Sequence, residues 1–351
     1  MVIVLCGGGS AGHVLPNLGL IEFLEQKFHS HSLAYIIEKN GVELDLLKHL
    51  PDLAKHSIYA GKIRRYLSFQ NLLDLLKVPV GIVQALRIFL HIRPELVISK
   101  GGYVCVPVII AAFILRIPII HHESDASPSL TSKLASVLAT ELWYQYTSSQ
   151  IGENSYAIQL PLRKSITVAR KQDFTFHKYL DSKKPTLLVM GGSLGAKFLN
   201  DFVANNLDSL IQHYNIIHLT GLKQPEVKKP KPNYVPLKFV NNLGDIYKNT
   251  DFFIGRAGAN TLSELAYFQI KSILVPLPLT ASRGEQMQNA KAFVKAHSGE
   301  IIMQDSIEIA KVLKSLQRLQ SLDQDPGSES NNYNTNQLLF SRLSHYLTND
   351  H

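Results

Sequence analysis

The sequence is poor in cysteine and in long apolar runs. Its 351 residues contain two cysteines, Cys6 and Cys105, each inside an apolar stretch, which predicts free thiols in a reducing compartment and excludes a disulfide scaffold. The longest apolar stretch, VPVIIAAFILRIPII at 106–120, is interrupted by two prolines and an arginine. It is shorter than the roughly 20 residues of a membrane-spanning helix. We therefore predict a buried helix followed by a buried strand, and we see no signal peptide at the start.

Two common nucleotide-binding signatures are also missing. The stretch CGGGSAGHVLPN at 6–17 joins a short apolar run to a helical pattern, but no Gly-Lys-Ser/Thr follows, which excludes a P-loop. The next predicted strand, in LAYIIEKNG, offers only Glu38 as an acid, so a dinucleotide fingerprint is absent as well. What remains is a glycine-rich turn before a helix, an arrangement that favours anionic ligands. His13 lies where the turn becomes the helix, and it is either a hydrogen-bonding residue or a general base.

Charge is low overall but unevenly distributed. Charged residues make up 18% and hydrophobic residues 45% of the chain, with a net charge of +8, which indicates a globular protein. Residues 54–100 hold eight basic side chains and only two acidic ones, among many leucines and valines. Such a segment favours an anionic membrane surface, with Lys62, Arg64 and Arg65 as contacts. An ordinary solvated helix face is the alternative interpretation.

The two halves of the chain repeat one pattern. VIVLCGGGSAGHVLP at the start is echoed by TLLVMGGSLGAKFLN at 186–200. Short apolar runs alternate with helical patterns in both halves. The runs are VIVLC, LAYII, LVISK and IPIIHH in the first half, and TLLVM, NIIHLTG, YVPLKFV, DFFIGRAG and KSILVPLP in the second. This predicts an α/β protein with two doubly wound parallel sheets, one per half, whose ligand site would lie in a cleft between them.

The predicted domain boundaries follow changes in composition. We expect a first domain over 1–162 and a second over 163–333, joined by a polar, basic stretch at 163–185. A turn-rich segment at 323–336 is expected to be loose. A terminal amphipathic helix within 334–351 is expected to pack back on the first domain.

Two segments of the second half combine turns with polar residues. In DFFIGRAGANTLSELAYF at 251–268, Thr261 and Glu264 have capping-box spacing, so Glu264 either caps its own helix or binds a sugar's hydroxyl pair beside a bound phosphate. In PLPLTASRGEQMQNA at 276–290, amides follow a predicted strand, and amides are suited to sugar hydroxyls.

Taken together, the motifs resemble the MurG family of peptidoglycan glycosyltransferases, in the form found in Gram-positive bacteria. The matching motifs occur in the family's order from Val2 to about Ala290: GGGSAGH, GKIRRY, SKGGYVCVP, HHESDASPSLTSKLA, MGGSLGAKFLN, HLTG, RAGANTLSEL and VPLPLTASRGEQMQNA. The resemblance implies a GT-B fold, with two Rossmann-like domains facing across a cleft. It also implies inverting transfer of N-acetylglucosamine from UDP-N-acetylglucosamine to the C4 hydroxyl of the muramoyl sugar of lipid I, which forms lipid II.

The resemblance also assigns residues. His13 and Asp125 become the candidate catalytic bases. The donor would be bound by Ser10, Ala11, Gly12, Arg163, Ser193, Val240, Ala259, Asn260, Thr261, Leu262, Ser263, Glu264, Gln286 and Asn289. The acceptor and the membrane would be contacted by Lys62, Arg64, Arg65, Gly101, Gly102 and Tyr103.

Within that set, Ser193 and Arg163 would contact the diphosphate region, Phe239-Val240 the uracil, Glu264 the ribose and Gln286 the N-acetylglucosamine hydroxyls. Ser10 to His13 would lie beside the reacting sugar and the acceptor pyrophosphate. No bound cofactor or metal site is implied, although a divalent cation could assist the diphosphate.

Three departures from the family pattern bear on these assignments. The usual Thr-Gly of the first loop is Ser10-Ala11, which keeps the hydroxyl. The usual HEQN is HESD, so Asp125 brings a carboxylate where an amide is expected. The usual GNP before the linker arginine is IQLP, so Arg163 is matched by its Pro-x-Arg context alone.

Several other functions compete with this interpretation. A diacylglycerol glucosyltransferase and a non-hydrolysing UDP-N-acetylglucosamine 2-epimerase share the two-domain design. A basic nucleic-acid-binding protein would explain the charge but not the paired glycine turns. The expected partners are UDP-N-acetylglucosamine, lipid I, an anionic membrane surface and cell-wall synthesis proteins, without nucleic acid. The expected location is the cytoplasmic face of the cell membrane, as a peripheral protein.

Overall fold

A computed structural model describes residues 2–62, 69–146, 152–168, 176–224, 229–240, 242–322 and 328–347. The chain divides into two compact units. Unit 1 consists of Met1–Arg163 with Tyr333–His351, and unit 2 consists of Lys164–Asn332. In this division Arg163 ends the first segment of unit 1.

Unit 1 is built on a parallel sheet of seven strands in the order β3-β2-β1-β4-β5-β6-β7. In chain order its elements are β1 Val2–Cys6, α1 Ala11–Lys27, β2 Ser32–Glu38, α2 Glu43–Leu46, β3 Ala54–Ile58, α3 Phe69–Ile92, β4 Leu96–Ser99, α4 Cys105–Ile114, β5 Ile119–Glu123, α5 Leu130–Leu138, β6 Glu141–Tyr144 and β7 Ser155–Ala157. The apolar stretch at 106–120 thus gives most of α4 and the start of β5, as predicted. Cys6 and Cys105 are buried free thiols.

Unit 2 repeats the design with a parallel sheet of six strands in the order β10-β9-β8-β11-β12-β13. Its elements are α6 Lys164–Thr167, β8 Thr186–Met190, α7 Lys197–His213, β9 Asn215–Leu219, β10 Tyr234–Leu237, α8 Leu243–Lys248, β11 Phe252–Gly255, α9 Ala259–Tyr267, β12 Lys271–Leu274, α10 Glu285–Ala296, β13 Gly299–Ile301 and α11 Ile309–Gln320. Both sheets are therefore doubly wound, and all nine predicted strands are present.

The last helix, α12 (Ser328–Leu347), completes the core of unit 1. Leu339, Leu343 and Leu347 are buried in the same apolar cluster as β1 and α1. Arg342 forms a salt bridge with the buried Glu141 of β6, whose carboxylate also accepts hydrogen bonds from Tyr346 Oη at 2.7 Å and Trp143 Nε1 at 2.8 Å. The apolar period of this helix predicted its amphipathic character.

The expectation of a loose segment up to residue 336 is wrong, because α12 begins at Ser328. The segment from Ser328 onward contains serines and asparagines but no proline or glycine. Serine and asparagine cost only about 0.5 kcal/mol each in a helix interior relative to alanine. A helix that is held by packing further along can therefore extend back through them.

Among the described residues, we find no helix that is long and apolar enough to cross a membrane.

Candidate functional site

In both units the chemically interesting residues follow the two strands at which the strand order reverses. In unit 1 these are β1 and β4, and in unit 2 they are β8 and β11. Doubly wound sheets bind their ligands beyond the carboxyl ends of the strands at this point. The glycine-rich stretches at 7–12 and 191–195 follow β1 and β8 directly. Each sheet therefore places a glycine loop where its topology favours a ligand.

The first glycine loop is held close to the loop that follows β4. A side chain at Gly102 would put its Cβ 2.1 Å from the carbonyl oxygen of Gly8, and Gly102 has a φ of +84°. The amide of Gly8 donates to the carbonyl oxygen of Gly101 at 3.4 Å. Gly101 also has a positive φ, of +90°, so both residues of the Gly-Gly pair favour glycine, which explains the motif SKGGYV next to the switch point.

Glu43 fixes the same loop from the side of α2. Its carboxylate is fully buried, and its Oε1 accepts a hydrogen bond from the Gly9 amide at 2.5 Å. Burial raises the pKa of Glu43. Tyr103 packs against Gly9 and donates a hydrogen bond to Glu38. The loop is thus held by a carboxylate that belongs to none of the sequence motifs, because Glu43 lies more than thirty residues away from Gly9 in the sequence.

The hydrogen bonds of His13 fix its tautomer. Its Nδ1 lies 3.1 Å from the carbonyl oxygen of Gly8 and 3.0 Å from Ser10 Oγ. A carbonyl oxygen only accepts, so Nδ1 carries the proton and Nε2 keeps its lone pair. Burial, with help from the charge of Lys100, lowers the pKa of His13 to about 4. His13 is therefore uncharged at neutral pH, and its Nε2 would lie 3.9 Å from a Cβ added to Gly101.

A buried chain of hydrogen bonds joins Glu123, Ser132, His121 and Ser99. Glu123, at the end of β5, accepts from the Asp125 and Ser129 amides, both at 3.0 Å, and from Ser132 Oγ at 2.6 Å. Ser132 Oγ in turn lies 2.8 Å from His121 Nε2, and His121 Nδ1 lies 3.0 Å from Ser99 Oγ. Because Ser132 gives its proton to Glu123, the network assigns the His121 proton to Nε2.

The carboxylate of Glu123 stays ionised in this chain. Burial alone would raise its pKa, but the charge of Lys100 and the hydrogen bonds from Ser132 and Asp125 lower the pKa to about 2. Lys100 itself follows β4 and is only 2% exposed. Counting it with the basic surface segment at 54–100 is therefore wrong, because the lysine lies at the switch point and not on the surface.

The remaining residues assigned to unit 1 are found as follows. Asp125 is half-buried and its backbone is held by Glu123. Ser10 and Gly12 are exposed, and Ala11 begins α1. Lys62 is exposed, with its ammonium 6.0 Å from the ring centroid of Tyr103. Arg163 is half-buried. Arg64 and Arg65 lie outside the described residues.

In unit 2, the glycine loops lead into α7 and α9. Ser193 is exposed between Gly192 and Gly195, which have φ values of +92° and +83°. Both helices begin without a side-chain cap, so amides of the first turn are left for water or a ligand. Val240 is partly buried, whereas the neighbouring Phe239 is half exposed.

The capping-box interpretation of Thr261 and Glu264 is wrong. Helix α9 begins at Ala259 after Gly258, so Thr261 is already its third residue. Glu264 lies one turn further on, is 8% exposed, and accepts a hydrogen bond from Tyr247 Oη at 2.8 Å. Tyr247 therefore orients this carboxylate.

The assigned segment 259–264 divides into two kinds of residue. Leu262 is buried in the apolar cluster of unit 2, so its side chain packs in the core. Asn260, Thr261 and Ser263 are half-buried, and Ser263 Oγ donates to the Ala259 carbonyl at 3.0 Å.

Two side-chain amides of α10, those of Gln286 and Asn289, hold neighbouring loops in place. Gln286 Oε1 accepts from the Leu277 amide at 3.1 Å, and the fully buried Asn289 donates to the Ala257 carbonyl at 3.3 Å. Asn289 therefore ties α10 to the turn after β11.

No cluster of three or more histidine, cysteine, aspartate or glutamate side chains suited to a metal ion is found in the described ranges.

Comparisons with known proteins find relatives that match most of the chain. The model of the glycosyltransferase family 28 N-terminal domain matches residues 3–143, and that of the C-terminal domain matches 186–342. A Staphylococcus epidermidis protein is 38% identical over 90% of this chain and 89% of its own length. It is named UDP-N-acetylglucosamine--N-acetylmuramyl-(pentapeptide) pyrophosphoryl-undecaprenol N-acetylglucosamine transferase. The chain belongs to the MurG group of glycosyltransferase family 28.

Other relatives in this family carry the same name. A Clostridium botulinum protein is 36% identical over 90% of both chains, and a Staphylococcus carnosus protein is 35% identical over 94% of this chain and 92% of its own. Among solved structures, MurG of Acinetobacter baumannii matches with a TM-score of 0.70 at 24% identity, over 91% of both chains. The calicheamicin glycosyltransferase CalG4 matches with a TM-score of 0.72 at 13% identity. These structures establish the GT-B fold class.

Proposed function

We propose that this protein transfers N-acetylglucosamine from UDP-N-acetylglucosamine to the C4 hydroxyl of the muramoyl sugar of lipid I, producing lipid II for peptidoglycan. The observation that carries the proposal is identity of 35–38% to transferases named for this reaction, over 90% or more of the chain. The 2-epimerase from Neisseria meningitidis shares the fold with a TM-score of 0.66 but is only 13% identical. That likeness concerns the fold alone, so it gives the epimerase alternative no support at the level of the reaction.

On the acceptor side, His13 is the base that the geometry favours. Direct displacement of UDP with inversion needs a group that removes the proton from the attacking hydroxyl. Nε2 of His13 keeps its lone pair because Nδ1 is turned toward the Gly8 carbonyl. Asp125 is the rival. Because the pKa of His13 is lowered to about 4, which is close to the ordinary pKa of an aspartate, basicity does not separate the two groups, and the assignment rests on the lone pair that Nε2 keeps. We therefore assign proton removal to His13, and a role beside the acceptor to Gly101, Gly102 and Tyr103.

On the donor side, unit 2 offers two uncapped helix N-termini, α7 after Ser193 and α9 after Gly258. Helix N-termini stabilise phosphate charge, including the charge that develops on a leaving diphosphate. We assign the diphosphate region to Ser193 and Arg163 and the ribose to Glu264, which Tyr247 orients. Gln286 is assigned to the sugar and Val240 to the uracil. No step in this scheme requires a bound metal ion.

We also propose that α3 and α4 bind unit 1 to an anionic membrane surface. Leu76, Val80, Val83 and Leu90 are about half exposed or more, and their spacing of four, three and seven residues places them on one face of α3. Arg87 lies on the same face and is exposed. Helix α4, which packs against α3, ends in exposed Phe113 and Ile114. Apolar side chains among basic ones favour the interface of an anionic bilayer.

The reaction is tested by offering labelled UDP-N-acetylglucosamine together with lipid I or diacylglycerol. We expect label in the lipid I product only. Label in diacylglycerol would favour the glucosyltransferase alternative. Tight UDP binding without transfer to either acceptor, together with conversion of the donor to its 2-epimer, would contradict the proposal.

The membrane role is tested with two variants of unit 1, measured by co-sedimentation with vesicles containing anionic lipid. Neutralising Lys62, Arg64 and Arg65 to glutamine should weaken binding about fivefold for each charge, since a basic side chain near such a surface contributes about 1 kcal/mol. The double variant Leu76→Gln/Leu90→Gln should weaken binding at least tenfold. Leu322→Gln, which removes an exposed leucine of unit 2, is the matched control. Binding unchanged in both variants would refute this surface.

A further inference from the structure

His218 is a buried polar residue inside an apolar strand of unit 2. Its neighbours in β9 are Ile216, Ile217 and Leu219, all of them buried, and His218 itself is 2% exposed. Side chains alternate between the faces of a strand, so His218 shares the face of Ile216, which packs in the same apolar cluster as α7. An apolar side chain would fill this place without the cost of burying polar atoms. A histidine here therefore indicates that its hydrogen bonds are needed.

The hydrogen bonds of His218 link β9 to α7 and to β10. Its Nε2 lies 2.9 Å from Oδ1 of Asn200, the fourth residue of α7, and its Nδ1 lies 3.2 Å from Tyr234 Oη. Asn200 Nδ2 donates to the Thr220 carbonyl at 3.0 Å. Because that carbonyl only accepts, Asn200 turns its own oxygen toward His218, and the network assigns the His218 proton to Nε2. Burial lowers the pKa of His218 to about 4, so the ring is neutral at pH 7.

The loop after β9, residues 220–224, is packed backbone to backbone against the glycine loop after β8. A Cβ added to Gly195 would lie 2.0 Å from the Thr220 carbonyl oxygen, and one added to Gly221 would lie 2.1 Å from the Gly195 amide nitrogen. The Leu222 amide donates to the Ser193 carbonyl at 3.0 Å. The conformation at Ser193 therefore depends on where the loop after β9 lies.

A glycine-rich loop gains most from support of this kind. Glycine loses more conformational freedom than any other residue when its backbone is fixed. A loop of glycines that presents amides to an anion therefore binds more tightly when its surroundings already hold it in place. His218 provides such support from a strand in the sheet, because it orients Asn200, and Asn200 joins the first turn of α7 to the Thr220 carbonyl.

We propose that His218 is a positioning residue of the donor site, which acts through Asn200 to hold the glycine loop around Ser193 in the conformation that binds a nucleoside diphosphate. This inference rests on the proposed function, because that function assigns the diphosphate of the donor to Ser193. His218 does not touch the donor in this scheme, since its ring nitrogens are occupied by Asn200 and Tyr234.

The first test compares His218→Leu with Asn215→Leu in calorimetric titrations with UDP. Asn215 is the matched control because it lies on the same strand and is also 2% exposed, but its three hydrogen bonds join it to Asp181 and Lys184, before β8. Both variants lose buried hydrogen bonds, so both should melt at a lower temperature. Only His218→Leu should also bind UDP more weakly, by about tenfold, as for the loss of one hydrogen bond.

A second ligand and a conservative variant separate positioning from general destabilisation. Uridine, which carries no phosphate, should bind His218→Leu as it binds the wild type. His218→Gln, whose side-chain amide still donates to Asn200, should keep most of the affinity for UDP. In turnover, His218→Leu should raise the KM for UDP-N-acetylglucosamine about tenfold and leave the KM for lipid I unchanged.

The link between the two side chains is tested by a double-mutant cycle. Asn200→Ala should weaken UDP binding about as much as His218→Leu does. The double variant should be no weaker than either single variant, because the two side chains act as one unit. If His218→Leu does not fold, Asn200→Ala takes its place in the comparison with Asn215→Leu.

Four outcomes would overturn the proposal. They are unchanged affinity for UDP in His218→Leu, equal weakening of UDP and uridine, equal weakening of UDP in Asn215→Leu, and a double variant whose loss is the product of the two single losses. If UDP binding depended on His218 but no sugar were transferred to lipid I, the proposed function would fail and the positioning role would stand.

Discussion

Replacing His13 by glutamine is expected to lower kcat by about 100- to 10,000-fold, the usual contribution of a general base. Glutamine can still hydrogen-bond to the Gly8 carbonyl and to Ser10, so the loop should keep its conformation. Its amide cannot accept the proton of the acceptor hydroxyl. Single-turnover rates with saturating donor and acceptor would measure this loss directly.

Asp125→Asn is the matched comparison for His13→Gln. It restores the amide expected at this position in the family and should lower kcat less than tenfold. If His13→Gln kept near-normal turnover while Asp125→Asn lost it, Asp125 would be the base.

The pH dependence gives an independent check on His13. Because burial and Lys100 lower its pKa to about 4, the base form persists well below the ordinary range of histidine. The plot of log kcat/KM should stay flat down to about pH 5 and fall with an apparent pKa near 4. In an unfolded chain the same histidine titrates near 6.5, so its contribution to stability is complete above pH 6.5 and declines as the pH falls toward 4. Circular dichroism at each pH would separate loss of the base from loss of the fold.

Replacing Glu123 by alanine is the change with the largest expected effect on stability. It removes the acceptor of two backbone amides and of Ser132 Oγ, and it removes the opposing charge that acts most strongly on Lys100. Removing one partner from a buried charged network costs about 3–5 kcal/mol. We expect the free energy of unfolding of unit 1, measured by urea denaturation, to fall by that amount, so that the midpoint moves to a lower urea concentration.

Glu25→Ala, which removes an exposed carboxylate of α1, is the control for Glu123→Ala. If Glu123→Ala lowered the free energy of unfolding as little as this control does, Glu123 would not stabilise the fold. The loss of stability at acid pH provides a second measure of the role of Glu123. Glu123 has a pKa of about 2 against about 4.5 when unfolded, so its contribution is complete above pH 4.5 and is lost as the pH falls toward 2. The alanine variant should lack this part of the pH dependence.

The strands that a reader of the sequence finds are those buried on both faces. β1, β4 and β8 read as continuous apolar runs because helices cover both sides of a parallel sheet. β3, β7 and β13 lie at sheet edges and are short or polar, as in AKHSI, SYA and GEI. Such segments lack the apolar run by which strands are recognised. The fold class was therefore predictable, whereas three of the four edge strands were not. The edge strand β10 was found because YVPL is apolar, and the inner strand β6 was missed because ELWY is only four residues long and begins with a glutamate.

The candidate site divides in the same way. His13 and the glycine loop are found because their chemistry is local in sequence. Lys100 and Glu43 are not, because their burial depends on strands and helices that are brought together from distant segments. Counting charges along the chain assigns Lys100 to the surface, whereas the pairing of β4 with both β1 and β5 encloses it. Glu264 shows the opposite error, since a local spacing suggested a cap that the helix start does not use.

The return of α12 to unit 1 has a consequence for the order in which the protein matures on the ribosome. Residues 2–163 emerge first, but Leu339, Leu343 and the partner of Glu141 are made only after all of unit 2. At roughly 5–20 residues per second, this delay lasts about ten to forty seconds. During that time the nascent first domain exposes the apolar surface that α12 later covers. The chain therefore has a period in which chaperone binding competes with aggregation, and that period ends when translation reaches its last helix.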